Sequence, residues 1–188
     1  MTERFGESFD GVLAAAHAGE GWAFERLFAW LGRPVAAYFR GTGVEDPDGS
    51  ANDVFLRAFT ALGRFAGDED RFRSWVFTIA HNLVVDERRR MARRPRRAPL
   101  DAAGPDPGPS SADAADEALA SLGDERVARL LDGLAPDQRD VVLLRIVADL
   151  SIEDTAAALG KRPGAVKALQ HRAMRSLRAT LGEEGVTP

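Results

Sequence analysis

Apolar residues recur at intervals of three and four along most of this chain, which is the spacing of helices that bury one face. Two clear runs lie in the N-terminal half: Phe24, Leu27, Phe28 and Leu31, and then Phe55, Leu56, Phe59 and Leu62. Stretches rich in glycine and aspartate at 41–43, 46–49 and 66–70 separate these runs and predict turns. The sequence lacks the strict alternation of a strand, so the pattern predicts an all-α fold.

A longer helix is predicted from near Asp70 to Arg94, because Pro95 would end it. Its apolar stripe comprises Phe72, Trp75, Val76, Ile79 and Leu83, with Trp75 expected to pack in the core. The other side is predicted to carry Ser74, His81, Asn82, Val85 and Arg89. We therefore expect His81 to face solvent or a phosphate.

The C-terminal part predicts a helix-turn-helix. Two helices are expected at 119–134 and from Pro136 onward. Ser151 is suited to cap a short third helix ending at Gly160, and Pro163 is suited to open a longer fourth helix. A short helix, a turn containing glycine and a longer helix outline this motif. The fourth helix would bury Val166, Leu169, Ala173, Leu177 and Leu181, and expose Lys167, His171, Arg175 and Arg178.

Between these two parts, residues 98–118 are rich in Pro, Gly, Ala, Ser and Asp and contain almost nothing to bury. Such a composition predicts a flexible acidic linker. The sequence thus predicts two small helical domains, at 8–96 and 119–182, joined by a flexible linker at 97–118.

Charge is segregated along the chain, although the formal net charge is only −4. Seven arginines lie between Arg88 and Arg97, and six basic residues without an acid lie between Lys161 and Arg178. A helix C-terminus accounts for two or three cations, each worth about 0.3–1 kcal/mol. It does not account for seven, so a polyanionic partner is favoured over a solvated basic face.

The N-terminal end of the fourth C-terminal helix has the chemistry for a DNA major groove, where small residues permit close approach and cations hold phosphates. The alternative is a basic surface on an ordinary helical hairpin. The candidate contacts are Arg162, Gly164, Ala165, Lys167, Ala168, His171, Arg172 and Arg175.

Enzymatic chemistry is not indicated. The chain has no cysteine, its three histidines are widely spaced, and motifs of zinc proteases, serine hydrolases and phosphate-binding loops are absent from the sequence. We expect no catalytic residue, metal or cofactor. The first residues lack a basic start followed by an apolar stretch, and no apolar run reaches eighteen residues, so a cytoplasmic protein without membrane contact is expected.

Three segments carry a family resemblance. FRSWVFTIAHNLVVDERRR at 72–90 resembles the second conserved region of sigma-70-type transcription initiation factors, especially the extracytoplasmic-function group. LAPDQRDVVLLRIVADLSIEDTAAALGKRPGAVKALQHRAMRSL at 134–177 resembles the fourth conserved region. AHAGEGWAFERLFAWLGRPVAAYFRG at 16–41 is similar to the opening segment of the family.

The resemblance implies a non-catalytic subunit that joins core RNA polymerase, contacting the clamp helices of its largest subunit and the flap of the second largest. It implies promoter DNA as a partner, with the −35 element read as duplex and the −10 element captured as single strand. An anti-sigma protein is a further possible partner.

The resemblance also implies roles for single residues. Asn82 corresponds to the asparagine in the pocket for a flipped base, and residues 66–70 match the loop that lines it. The implied −10 set is Ala66, Gly67, Asp68, Glu69, Asp70, His81, Asn82, Arg88, Arg89, Arg90, Arg93 and Arg94. The implied polymerase contacts are Asn52, Asp53, Phe55, Leu56 and Arg57.

Two departures from the family pattern bear on these roles. Residues 49–53 read GSAND where relatives have DLVQE, and Leu169 and Gln170 stand where many relatives have arginine and leucine. The competing hypothesis is a stand-alone helix-turn-helix regulator that binds operator DNA as a dimer. Such a regulator would bind its duplex site without polymerase, which a sigma factor would not.

Overall fold

The computed structural model describes residues 5–6, 8–93 and 126–184, and the regular structure in these ranges is helical throughout. The helices are α1 (Phe9–His17), α2 (Gly21–Thr42), α3 (Pro47–Ala61), α4 (Glu69–Arg93), α5 (described for 126–132), α6 (Pro136–Ile146), α7 (Ile152–Leu159) and α8 (Pro163–Glu184). A single 3₁₀ turn, Leu62–Arg64, precedes α4. The all-α prediction is confirmed, whereas the predicted linker and Arg94 to Arg97 lie outside the described residues.

One predicted turn begins a helix instead. The Asp46 carboxylate accepts a hydrogen bond from the Gly49 backbone N–H at 2.9 Å, and Pro47 is the first residue of α3. Aspartate as cap followed by proline favours a helix start as well as a turn, because both structures use the same local hydrogen bond. Of the turn predicted at 41–43, Gly41 and Thr42 belong to α2, and Gly43 ends this helix with φ 76°.

Helices α1 to α4 enclose an aromatic core. Tyr38, Phe39, Phe72 and Phe77 are almost completely buried, and burial of each such side chain contributes roughly 1.5–3 kcal/mol. Phe28 and Leu56, which the periodicity places in buried stripes, are exposed by 41% and 66%.

The buried face of α4 differs from the predicted stripe. Its fully buried apolar residues are Phe72, Val76, Phe77, Ala80 and Val84, whereas Trp75, Ile79 and Leu83 are half-buried. The reason is that α4 contacts α7 of the other domain as well as α2 and α3, so more of the helix is covered than one apolar stripe.

The helix-turn-helix has the predicted caps. Ser151 Oγ accepts a hydrogen bond from the Asp154 backbone N–H at 2.9 Å and begins α7. Gly160 ends α7 with φ 60°, and Pro163 is the first residue of α8. The predicted burial of Leu181 is wrong, because this side chain is 43% exposed. With 22 residues α8 is twice as long as α6, so its last turns extend beyond their packing partner.

The two helical domains pack against each other. Helix α6 contacts α2, α7 contacts α4, and buried residues of both domains form one continuous hydrophobic cluster. The approach is closest at Gly41, where an added Cβ would collide with Leu143 and lie 3.4 Å from Leu131 Cδ1. Of the helices described, none has the length and apolar character needed to cross a membrane.

Candidate nucleic-acid interface

The N-terminal half of α8 presents a cationic surface. All the residues predicted from the sequence to contact duplex DNA are exposed: Arg162, Gly164, Ala165, Lys167, Ala168, His171, Arg172 and Arg175. A groove of about 480 Å³ runs along the helix beside Lys167, His171 and Arg175. In the part of the chain that the structure describes, no carboxylate pairs with Lys167 or Arg172. These cations are therefore available to an external anion.

Packing holds α8 in place from beneath. Val166, Leu169 and Ala173 are buried, and Val166 and Leu169 pack with Val141 of α6 and Ala156 of α7. Because the buried and cationic residues occupy separate faces, the helix is anchored to its domain without using the residues that face outward. The ion pair between Lys161 Nζ and Asp137 Oδ2, at 2.9 Å, ties the turn before α8 to the start of α6.

Asn82 lies exposed on α4, with its amide accessible from outside the domain. The loop at 66–70 leads into the same helix, and its Asp68 carboxylate caps α4 by accepting from the Arg71 backbone N–H at 2.9 Å. Glu69 is occupied differently, since its carboxylate accepts from the backbone N–H of Phe5 at 2.7 Å and from that of Gly6 at 3.2 Å. Glu69 therefore holds the backbone of residues 5 and 6 at the start of α4.

Trp75 is half-buried and stacks on Phe65, with ring centres 5.0 Å apart and planes at 23°. The expected core role of this tryptophan is confirmed by that packing. Phe65 closes the 3₁₀ turn before the 66–70 loop, so the stacked pair supports the loop from the side of the core.

His81 is not on the solvent-facing side of α4, and that prediction is wrong. The side chain is 7% exposed, and its Nδ1 lies 3.0 Å from the hydroxyl oxygen of Tyr38. Burial lowers the pKa of His81, although the nearby Asp140 carboxylate acts in the opposite direction. The imidazole is therefore held neutral inside the fold and is not positioned to contact a phosphate.

Arg88 also has an unexpected partner. Its Nη1 and Nη2 donate to the two carboxylate oxygens of Asp140, on α6 of the other domain, at 2.7 and 2.9 Å. Asp140 is only 3% exposed, and these hydrogen bonds raise the pKa of Arg88. In the packed arrangement Arg88 is thus committed to a carboxylate and not to DNA.

The remaining described arginines of α4 lie on the surface. Arg89 is 3.7 Å from Asp86, and Arg90 pairs with Glu87, so the two local acids neutralise part of the positive charge. Arg93 is exposed and donates to the backbone carbonyl of Arg89, at 3.2 Å. Arg94 lies outside the described residues. Exposed ion pairs of this kind contribute little to stability, so Arg89 and Arg90 can exchange their partners for a phosphate at small cost.

The predicted polymerase contacts on α3 divide into two groups. Asn52, Asp53 and Arg57 are exposed, and Leu56 is 66% exposed. Phe55 is 2% exposed and packs against Phe28, with ring centres 4.8 Å apart. The predicted contact through Phe55 is therefore wrong, because the side chain faces the core.

The structure also brings together residues that the sequence did not single out. Tyr38 and Asp140 join His81 and Arg88 in one polar cluster at the seam between the domains. The sequence offers only the single tyrosine of the chain and an aspartate directly before an apolar run, neither of which indicates a partner in another helix.

Comparison with known proteins identifies the two domains. Residues 33–94 match the family model for Sigma-70 region 2, and residues 124–177 match that for Sigma-70, region 4. The chain is 37% identical over 182 residues to the ECF RNA polymerase sigma factor SigD of Mycobacterium tuberculosis, covering 92% of this chain and 84% of SigD. This chain belongs to the ECF RNA polymerase sigma factors.

Two further relatives extend the similarity of this sigma factor. It is 33% identical over 178 residues to the ECF sigma factor BldN of Streptomyces coelicolor, covering 92% of this chain and 66% of BldN. Its structure is similar to that of CnrH in complex with the cytosolic domain of CnrY, with a TM-score of 0.68 and 30% identity over 94% of this chain and 99% of CnrH. The similarity includes both domains.

Proposed function

We propose that this sigma factor binds core RNA polymerase and directs it to promoters, reading the −35 element with the helix-turn-helix and opening and capturing the −10 element with the N-terminal domain. The observation that carries the proposal is the presence of both regions, in the family order, on one chain whose α8 exposes a row of cations. The protein acts where RNA polymerase is, in the cytoplasm, as a DNA-binding initiation factor.

The domain assignment extends the matched regions to 8–96 and 119–182, with 97–118 as the connection. In the C-terminal domain the exposed α8 residues at 162–175 take the −35 duplex. In the N-terminal domain Asn82, the loop at 66–70 and Arg89, Arg90 and Arg93 take the −10 strand. The exposed Asn52, Asp53, Leu56 and Arg57 support docking of α3 on polymerase.

The base-capture role depends on Asn82. Its amide both donates and accepts, which suits the edge of a base turned out of the stack. Because the side chain is exposed, Asn82→Ala leaves the core of the domain intact. The loss of a base contact costs about 1–3 kcal/mol, which corresponds to a loss of open complex of about fivefold to 150-fold.

The test is run-off transcription with purified core polymerase on a cognate promoter, together with a polymerase-binding measurement. Asn82→Ala should reduce open-complex formation and leave polymerase binding nearly unchanged. Glu25→Ala, at an exposed position of α2, serves as the control and should change neither open-complex formation nor polymerase binding. An equal loss of polymerase binding and open complex would contradict the role of Asn82, and absence of any polymerase-dependent transcription would contradict the function itself.

The same purified chain, polymerase and promoter DNA distinguish a stand-alone regulator from a sigma factor. A regulator would bind a duplex site with useful affinity in the absence of polymerase. The proposed sigma factor requires polymerase for specific binding.

An anti-sigma partner is also part of the proposal. The related CnrH was solved with the cytosolic domain of CnrY bound.

A further inference from the structure

The carboxylate of Glu69, the first residue of α4, receives hydrogen bonds from the segment before α1. Its Oε1 accepts from the Phe5 backbone N–H at 2.7 Å, and its Oε2 accepts from that of Gly6 at 3.2 Å. Arg73, whose side chain is 3% exposed, donates to Oε1 as well, at 3.4 Å. With three donors on its two oxygens and a side chain only 13% exposed, Glu69 is committed to contacts within the domain.

The Phe5 side chain holds the same segment in place. Its ring packs edge-on against Trp30 of α2 and Phe9 of α1, with ring centres 5.2 and 5.7 Å apart. The Arg26 guanidinium covers the ring at 5.3 Å from its centre. Gly6 then turns the chain into α1, with φ 88° and its carbonyl accepting from the Phe9 N–H at 3.0 Å. The segment is thus fixed to α4 by its backbone and to α1 and α2 by its side chain.

The loop before α4, assigned above to the −10 base pocket, gains a distant support from these contacts. Its Asp68 carboxylate accepts from the Arg71 N–H at 2.9 Å, and an added Cβ at Gly67 would lie 2.8 Å from the Arg71 Cβ. Both contacts are local, so they shape the loop without tying it to α1 or α2. Glu69 provides that tie by way of Phe5. The position of the loop in the domain therefore depends in part on Glu69.

The charge of the loop also bears on its role. Asp68, Glu69 and Asp70 place three carboxylates in succession where a polyanion is expected to bind. Glu69 has the Arg73 guanidinium beside it, and Asp68 accepts from a backbone N–H at the helix start, where a negative charge is favourable. Glu69 therefore offers an incoming base little of its surface.

We infer that Phe5 and Gly6 form a positioning element of the −10 site. Through Glu69 they hold the loop before α4 in the position that meets the base, so base preference at the −10 element depends on residues that precede the first helix. Glu69, which the sequence assigns to the −10 contacts, is a positioning residue and not a DNA contact. The inference rests on the proposed function, since it requires that the loop receives a promoter base.

The experiment uses the full chain with core polymerase and a panel of promoters that differ from a cognate promoter at single −10 positions. Phe5→Pro removes the N–H donor and the ring, whereas Phe5→Leu keeps the donor and much of the apolar contact. Glu69→Ala removes both acceptor oxygens, whereas Glu69→Gln keeps one. Glu25→Ala, at an exposed position of α2, is the matched control for the loss of a carboxylate. Open-complex formation, −35 duplex binding and polymerase binding are measured for each variant.

Phe5→Pro and Glu69→Ala should each reduce the discrimination between the cognate and the substituted promoters by about fivefold, since a single base pair commonly provides about fivefold to 150-fold. The double variant should be no less selective than either single variant, because both changes remove the same contact. Phe5→Leu and Glu69→Gln should retain most of the selectivity, and Glu25→Ala all of it. Polymerase binding and −35 binding should be unchanged.

Three results would overturn the inference. One is a uniform loss of open complex on all promoters, which is the effect of a domain that is merely destabilised. Another is a loss of selectivity in Glu69→Ala but not in Phe5→Pro, because Glu69 would then contact the base without needing Phe5. The third is strictly additive losses in the double variant, since the two residues would then act separately.

Hydrogen exchange of the amides at 66–70 in the free protein gives a readout that needs neither polymerase nor DNA. Phe5→Pro and Glu69→Ala should both accelerate this exchange, and exchange equal to that of the parent would also overturn the inference. Run-off transcription with the parent keeps the two questions apart. Absence of polymerase-dependent transcripts would refute the proposed function, whereas transcription by the parent with unchanged selectivity in the variants would refute the positioning role alone.

Discussion

The hydrogen bond between Tyr38 and His81 offers a sharp test of the polar cluster at the seam. Tyr38→Phe removes one hydroxyl and keeps the aromatic ring. The centre of this ring lies 5.8 Å from the ring centres of both Phe39 and Phe77. Apolar burial is therefore unchanged. The change deletes a hydrogen bond of 3.0 Å and leaves His81 Nδ1 without this partner in a buried site.

An unsatisfied buried polar atom costs about 1–3 kcal/mol, which is a large part of a typical total stability of 5–15 kcal/mol. With a urea dependence of about 2 kcal/mol per molar, the unfolding midpoint should fall by about 0.5–1.5 M. Combining Tyr38→Phe with His81→Leu removes both partners and replaces them by apolar groups. The double variant should therefore be more stable than the sum of the single losses predicts.

Urea unfolding followed by circular dichroism measures all four proteins of this cycle. A midpoint shift below about 0.2 M for Tyr38→Phe would refute the reasoning, since the lost hydrogen bond would then have no energetic weight. Strict additivity of the two single changes would refute it as well, because the two side chains would not be coupled.

Three other predictions follow from separate features. Because burial lowers the pKa of His81 in the folded state, the unfolded chain takes up a proton at this residue more readily once the pH falls below about 6.5, so the free energy of unfolding should decrease between pH 7 and 5.5. His81→Gln should flatten that part of a pH series of urea midpoints. Ser151→Ala removes the cap that accepts from the Asp154 N–H, so the thermal stability of the chain should fall by about 1 kcal/mol, and an unchanged melting curve would deny the cap its role. Replacing Lys167 and Arg172 with glutamine should weaken −35 binding by the polymerase complex and reduce the slope of log K against log salt by nearly 2, while an unaltered slope would remove both residues from the phosphate contacts.

Local signals in the sequence account for most of the secondary structure and for the helix-turn-helix. The cap at Ser151, the left-handed Gly160 and the opening Pro163 each depend on a few neighbouring residues, and all three occur as predicted. The cationic face of α8 follows from helical periodicity alone, because the buried face of a helix in a small domain fixes the exposed one.

Errors occur where the outcome depends on a distant partner. Helical periodicity places His81 opposite the predicted apolar stripe of α4, yet Tyr38, 43 positions earlier, provides a hydrogen-bond partner for its ring nitrogen in the core. The pairing of Arg88 with Asp140 joins residues 52 apart in different domains. No periodic pattern encodes such pairs, since they arise only when whole helices have packed.

The Arg88–Asp140 pair shows why partners that are distant in sequence decide how the two domains pack. A buried ion pair contributes little net stability, because each charge loses its hydration, but removing one partner is costly since the other remains buried. Asp140 is 3% exposed, so the loss of Arg88 would leave its carboxylate buried without the two hydrogen bonds that it accepts. Arrangements of the two domains that separate Arg88 from a buried Asp140 are therefore disfavoured.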